Sequence, residues 1–180
     1  LPETMELTAQ GVKTCVENGV NVKVLTKRAD FMDNFFGLLA SYGNFDEKQY
    51  REHTAFGFTL TGHDELEQGA SSNTERIGAM EELHNRGYRI FASIEPIVDF
   101  PSSMQMINGS LPFCDLYKIG LMSGNGVTYD SVEAQNFLSE LQQLPGQPKI
   151  YLKNSLVRFL DVDRKILPEN FVESNYNMFG

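Results

Sequence analysis

Two patterns of apolar and polar residues alternate along the chain, one typical of buried strands and the other of amphipathic helices. Runs rich in Val, Ile, Leu, Phe and Tyr predict five strands, near residues 20–26, 55–61, 88–98, 114–122 and 149–154. Segments with helical periodicity separate them and predict helices over 8–18, 30–43, 74–86, about 102–111, and 130–144. The intervening segments 45–54 and 62–72 are polar and are expected to be loops.

This alternation predicts an α/β fold, because strand–helix units of about 30 residues connect parallel strands by crossovers. The strands are apolar along their length, and each ends in polar residues. Side chains gathered at the carboxyl ends of successive parallel strands are typical of a βα-barrel. Five units fall short of a closed barrel, so we expect a partial (β/α) barrel over residues 1–156, with helices outside and a carboxyl-terminal tail over 157–180.

The polar strand ends supply the candidate site residues. Thr59 and Thr61 share one side of their strand, and Ser93 and Glu95 share one side of theirs, because side chains alternate. A carboxylate in the apolar run around Glu95 is expected to be paired or to have a raised pKa. The sequence leaves open whether Glu95 is a general base or a structural partner of Lys118 or Lys153.

Two further segments are candidates for binding. The loop Ser123-Gly124-Asn125-Gly126 follows a strand and could present backbone N–H groups to an anion, or could be a plain turn. His63-Asp64-Glu65 could form a weak metal cluster, although the three histidines lack metal-ligand spacing.

Charge and composition indicate which classes of partner and environment are expected. The chain has 180 residues and a net charge of −9, so binding of nucleic acid through bulk charge is not expected. No apolar run approaches the roughly 18 residues of a membrane span, and the first ten residues lack a signal-peptide pattern. The two cysteines, Cys15 and Cys114, are far apart and are expected to be inert buried thiols, which favours a reducing, cytoplasmic environment.

The order of short motifs resembles that of radical S-adenosylmethionine proteins, closest to the spore photoproduct lyase-like branch and related phage-encoded proteins. The resemblance covers about residues 2–125 and rests on four motifs: Thr26-Lys27, Thr59-Leu60-Thr61, Glu75-Arg76-Ile77 and Ile94-Glu95-Pro96. It implies a (β/α)6-type barrel. The parent enzyme would cleave S-adenosylmethionine reductively at a 4Fe–4S cluster and form a 5′-deoxyadenosyl radical.

The same resemblance implies roles for individual residues. The implied contacts to S-adenosylmethionine are Lys27, Thr59, Thr61 and the backbone at Ser123 and Gly124. Ser93 and Glu95 are further candidate contacts because they share one side of their strand, and Glu95 and Lys118 are the candidate catalytic groups because each is a charge within an apolar strand. The chain departs from the family in one respect, because it lacks the CxxxCxxC loop, and two cysteines cannot supply three cluster ligands. The cluster is therefore expected only in a parent protein, and this chain alone is expected to be inactive.

The resemblance places the start of the chain after the second strand of such a barrel, with Pro2-Glu3-Thr4 ending the preceding loop. The edge of strand 20–26 would then be unpaired, and we expect either self-association or the missing barrel half to cover it. Two other functions stay open. One is a cofactor-free barrel lyase or hydrolase that uses Glu95 with Lys118 or Lys153, and the other is a non-catalytic scaffold.

Overall fold

The protein is an α/β structure built on one parallel sheet. A computed structural model describes residues 2–122 and 127–180. Within them the sheet has five strands, in the order of the chain: β1 (Val22–Thr26), β2 (Thr54–Thr59), β3 (Arg89–Ile97), β4 (Leu116–Leu121) and β5 (Lys149–Leu152). All four strand pairs are parallel. Because consecutive strands are neighbours, this order is consistent with a partial βα-barrel, with β1 and β5 at the two edges.

Along the chain, helices of the described residues precede, separate and follow the strands. They are α1 (Pro2–Glu17), α2 (Met32–Ser41), α3 (Glu47–His53), α4 (Asn73–Asn85), α5 (Phe100–Ser110), α6 (Ser131–Gln142) and α7 (Asn154–Leu160). No helix in 2–122 or 127–180 is both long and apolar enough to cross a bilayer.

Three element predictions were wrong. Pro2-Glu3-Thr4 is not the end of a loop but the first turn of α1, where proline is tolerated because that amide has no helical partner. The polar segment 45–54 contains α3, whose first turn is capped by the Asp46 carboxylate accepting from the Lys48 amide at 3.0 Å. The fifth strand ends at Leu152, because Lys153 is the N-cap residue of α7.

One face of the sheet carries the main hydrophobic core. Alternate strand side chains pack there against the apolar sides of the helices, as a half-buried strand pattern predicts. From the strands this face receives Phe56, Phe58, Leu60, Ile90, Ala92, Ile94, Tyr117, Ile119, Ile150 and Leu152. From the helices it receives, among others, Val16, Phe35, Leu39, Met80, Leu83, Ile107, Phe137, Leu141 and Leu160.

The opposite face, called here the helix-free face, is covered at its amino-terminal end by the tail. Ala55, Phe91 and Leu116 form a small buried cluster there with Met178, and Tyr151 and Tyr176 pack against it. The tail also extends the sheet edge, because Ile150 donates to the Asn170 carbonyl at 2.9 Å and accepts from the Val172 amide at 2.8 Å. The tail thus leaves the carboxyl-terminal half of this face for polar groups.

Candidate functional site

Three central strands place Thr59, Ser93 and Lys118 side by side on the helix-free face. The register pairs Thr59 of β2 with Ser93 of β3, and Ser93 with Lys118 of β4. Thr59 and Ser93 are each only 6% exposed. The Thr59 carbonyl accepts a hydrogen bond from Arg76, and the Ser93 carbonyl accepts one from the Leu60 amide. The hydroxyls of Thr59 and Ser93 have no hydrogen-bond partner in the described part of the chain. We call these three residues the open row.

Glu95 and Lys153 form an ion pair one step further along the strands. Both side chains lie over Gly120 of β4, where an added Cβ would come within 3.0 Å of Glu95 Oε1 and of Lys153 Cδ. The pair is about a third exposed, at 31% for Glu95 and 33% for Lys153. Of the two lysines that the sequence left open as partners of Glu95, the structure selects Lys153.

Lys118 extends along the sheet instead of toward Glu95. Its Nζ lies 4.7 Å from the centroid of the Phe91 ring, and that ring lies on Gly57, where an added Cβ would be 2.2 Å from the ring. Burial lowers the pKa of Lys118, and the positive charge of Lys23 on β1 lowers it further. The Lys118 amine therefore occupies a partly desolvated position above an aromatic ring.

A second polar cluster closes the carboxyl ends of β1 and β2. Glu67, whose side chain is 5% exposed, accepts from Arg76 at 2.6 Å and from the Thr61 hydroxyl at 2.9 Å, and its other oxygen lies 2.9 Å from Lys27 Nζ. Arg76 is fully buried and also donates to the Thr59 carbonyl at 2.6 Å. We call Thr61, Glu67 and Arg76, together with the half-exposed Lys27 that contacts Glu67, the buried cluster.

The Glu67 carboxylate is stabilised by the other members of the buried cluster. Burial raises the pKa of Glu67, but the hydrogen bonds from Arg76, Lys27 and Thr61 outweigh it, so the pKa is lowered and the carboxylate is ionised. Lys27 and Thr61, which the resemblance assigns to the cofactor, are thus held by Glu67 in this structure.

Glu67 and Arg76 were not among the predicted site residues. Arg76 could have been found, because it precedes Met80 and Leu83 by four and seven residues on the apolar side of α4. A charge at such a position requires a buried partner. Glu67 could not have been found, since the loop 62–72 contains several acidic residues of similar context.

His63 connects the loops after β2 and β3. Its Nε2 lies 2.5 Å from Asp99 Oδ2 and its Nδ1 lies 2.8 Å from Glu65 Oε1. Hydrogen bonds to Glu65 and Asp99 raise the pKa of the imidazole, which favours the doubly protonated form between two carboxylates. Asp99 also caps α5, because its carboxylate accepts from the Ser102 amide at 2.7 Å. This arrangement ties two loops together.

The residues present do not fit an iron–sulfur cluster or another metal centre. Residues 2–122 and 127–180 contain no group of three or more His, Cys, Asp or Glu side chains arranged to hold an ion, including His63-Asp64-Glu65. Cys114 is buried in the main core, where burial raises the pKa of its thiol to about 12. Cys15 is half-buried on α1 instead of fully buried as expected. Two such thiols cannot ligate a cluster that needs three.

Ser123 and Gly124, predicted as backbone contacts to the cofactor, lie outside the described residues. The other candidates divide into two groups. Lys27 and Thr61 belong to the buried cluster, whereas Thr59, Ser93, Glu95 and Lys118 share the helix-free face, with Lys118 inside β4.

Comparison of the chain with protein-family models, with curated proteins and with solved structures finds no significant match. The helix-free face offers two hydroxyls without partners among the described residues, one amine above an aromatic ring, and one accessible carboxylate–ammonium pair. These groups can bind a polar small molecule that carries hydroxyls together with both signs of charge.

Proposed function

We propose that the protein is the S-adenosylmethionine-binding part of a radical S-adenosylmethionine-type partial barrel. The observation that carries the proposal is the accessible Glu95–Lys153 ion pair beside the hydroxyls of Thr59 and Ser93. A free amino acid group carries an ammonium and a carboxylate, and an ion pair offers the complementary charge to each. The two hydroxyls can donate to and accept from a ribose diol.

The strand order supports the same proposal. Five parallel strands in chain order bring their carboxyl ends to one edge of the sheet, which is where barrels bind their ligands. The apolar cluster around Phe91 and Met178 closes the amino-terminal end of the helix-free face. In this proposal the ligand contacts the apolar cluster on one side and the polar groups of the strands on the other.

The proposal is limited to cofactor binding. The cysteines of this chain do not fit the 4Fe–4S cluster, so no cluster chemistry is derived from these residues. In this proposal a parent protein holds the cluster elsewhere. Glu95, Lys153, Thr59 and Ser93 orient the cofactor, and the buried cluster keeps the ends of β1 and β2 together.

Calorimetric titration of the chain with S-adenosylmethionine tests the proposal. We expect a binding isotherm that weakens about tenfold or more in Glu95→Gln, because a charge-assisted contact is lost, and less in Ser93→Ala. The matched control is Ser139→Ala, an exposed serine on α6 that bonds only to the Gln135 carbonyl. Absence of heat with ligand in the millimolar range, from protein with native circular dichroism, would overturn the proposal.

A second function is favoured by the same ion pair. Glu95 beside Lys153 is an acid–base pair at the mouth of the sheet, as a cofactor-free lyase or hydrolase would require. This alternative predicts that small carbonyl or ester substrates turn over slowly without S-adenosylmethionine. Activity lost in both Glu95→Gln and Lys153→Met but kept in Ser139→Ala would favour it, and absence of turnover would exclude it for the substrates tried.

A further inference from the structure

Lys118 occupies an environment that a purely structural lysine does not need. Its Nζ lies 4.7 Å from the centroid of the Phe91 ring in the middle of the sheet face, not at a strand end in solvent. The residue is half-buried. Within residues 2–122 and 127–180 no carboxylate pairs with this amine, whereas Lys153, two residues beyond the strand partner of Lys118, is paired with Glu95.

A second lysine faces the same region. Lys23 is on β1, where Val22 and Val24 pack toward the main core, so Lys23 alternates onto the helix-free face. Its charge acts on Lys118, and its own pKa is lowered by burial. The Phe91 ring favours the charged form of Lys118, but burial and Lys23 both oppose it, and the net pKa of Lys118 is lowered.

The other ionisable groups around Lys118 do not reverse this balance. β2 contributes none, because Ala55, Gly57 and Thr59 are its residues on this face. The remaining groups on neighbouring elements are Arg89 and Glu95 on β3, Lys149 and Tyr151 on β5, Lys153, Arg164 against the Tyr151 ring, and Glu173 and Tyr176 of the tail. Of the two carboxylates among them, Glu95 is paired with Lys153, and Glu173 Oε2 lies 4.0 Å from Arg164 Nε.

We infer that Lys118 is a nucleophilic amine that condenses with the carbonyl group of a small anionic aldehyde or 2-oxo acid, whose carboxylate Lys23 attracts. A desolvated lysine next to a second cation has a larger neutral fraction than a solvated one, and the neutral amine is the nucleophile. Two amines on one face supply a nucleophile and an anion partner together. This activity is independent of S-adenosylmethionine binding.

The chemistry balances without an added oxidant or reductant. The Nζ lone pair of the neutral Lys118 amine attacks the carbonyl carbon, the carbon–oxygen π bond breaks, and one proton moves from the nitrogen to the oxygen to give a neutral carbinolamine. The nitrogen lone pair then forms the carbon–nitrogen double bond as the hydroxyl leaves, and the one proton remaining on the nitrogen departs with the hydroxyl as water. Amine and carbonyl thus give an imine and one water. Ser93, the register neighbour of Lys118, provides a hydroxyl that can pass these protons.

The test is reductive trapping on the full chain. Glyoxylate with sodium cyanoborohydride converts a transient imine into a stable carboxymethyl group, which peptide mass spectrometry assigns to individual lysines. We expect Lys118 to be modified about threefold or more faster than the exposed Lys48 and Lys165 at about pH 7, because a larger fraction of its amine is neutral. The rates should converge near pH 10, and in urea at about pH 7.

Two comparisons separate the nucleophile from its anion partner. Lys23→Gln should slow trapping of Lys118 and remove its preference for glyoxylate over acetaldehyde, whereas the control Lys48→Gln should change neither. Equal modification rates for Lys118 and Lys48 in folded wild-type protein would overturn the inference. Fast trapping that is unchanged in Lys23→Gln would overturn the part assigned to Lys23. Both readouts leave S-adenosylmethionine out, so they do not depend on the proposed function.

Discussion

The buried cluster and the open row differ in how their charges are satisfied. In the buried cluster, Arg76 and Glu67 have side chains 0% and 5% exposed and neutralise each other. In the open row, Lys118 has no carboxylate partner, and the hydroxyls of Thr59 and Ser93 have no partner among the described residues. Paired charges that are shielded from solvent hold a fold together, whereas groups on an accessible face, including the partly exposed Glu95–Lys153 pair, are available to a ligand.

This contrast has a consequence for residues transferred from a family motif. Lys27 and Thr61 match the motif as well as Thr59 does, yet both are bonded to Glu67. A motif places residues along the chain, but the partner that each side chain finds decides whether it is available for binding.

The largest expected effect is on the buried cluster. Arg76→Met should destabilise the fold by about 3–5 kcal/mol, because it leaves Glu67 buried without its main partner. The free energy of unfolding in urea, followed by far-ultraviolet circular dichroism, measures this effect. The double variant Arg76→Met/Glu67→Met should recover most of the loss, since no charge is then stranded. A loss below about 1 kcal/mol in the single variant would show that the cluster is not structural.

A smaller effect is expected at the floor beneath Lys118. Gly57→Ala should cost about 1–3 kcal/mol, because the added Cβ would overlap the Phe91 ring, 2.2 Å away. Gly78→Ala on α4 is the matched control, since a Cβ there meets nothing within 4 Å and a helix favours alanine. Urea denaturation should therefore show opposite signs for the two variants. Equal signs would mean that the ring does not lie on Gly57.

Replacement of Lys118 in the open row should change the free energy of unfolding much less than replacement of Arg76 in the buried cluster. Lys118→Met removes a desolvated cation and its contact with the Phe91 ring, two contributions of opposite sign, so we expect a change of less than about 1 kcal/mol in either direction. The same urea titration as for Arg76→Met provides a direct comparison. A loss above about 2 kcal/mol would assign Lys118 a structural role and end the contrast between the two groups.

The smallest effect concerns pH. The pKa of His63 is raised by Glu65 and Asp99, so its stabilisation is present below about pH 6.5 and is lost as the pH rises through the raised value. The pKa of Asp99 is lowered: burial alone would raise it, but hydrogen bonds from Ser102 and His63 outweigh that effect. Its contribution is therefore present above about pH 3.9 and is lost as the pH falls.

Between these limits wild type should be more stable than His63→Gln by no more than about 1 kcal/mol, because the pair is partly exposed. The advantage should shrink as the pH rises above about 6.5 in urea titrations, and the exposed His84→Gln on α4 is the control. An advantage that grows with pH would contradict the assignment.

Local sequence signals explain how much of the fold could be predicted. The helix over 74–86 was predicted within one residue of α4, because Ser72 and Glu75 form a capping box and Gly87 stops the helix with φ of +87°. The five strands were predicted in the right order from their apolar runs. α3 was missed, since its seven residues, EKQYREH, contain a single buried side chain, Tyr50, and show no apolar period.

The sequence by itself determined which residues alternate onto each face of the sheet, because the side-chain period of a strand is two. It therefore placed Ser93 and Glu95 on one side of their strand, whereas the register of β2 and β3 brought Thr59 beside Ser93. Tertiary structure alone decided that Glu95 pairs with Lys153 and that Lys118 lies over Phe91. It also decided that the Glu67 carboxylate binds Lys27 and Thr61. These contacts depend on the strand register, on the space left by Gly57 and Gly120, and on the path of the loop that carries Glu67. None of these has a local signature in the chain.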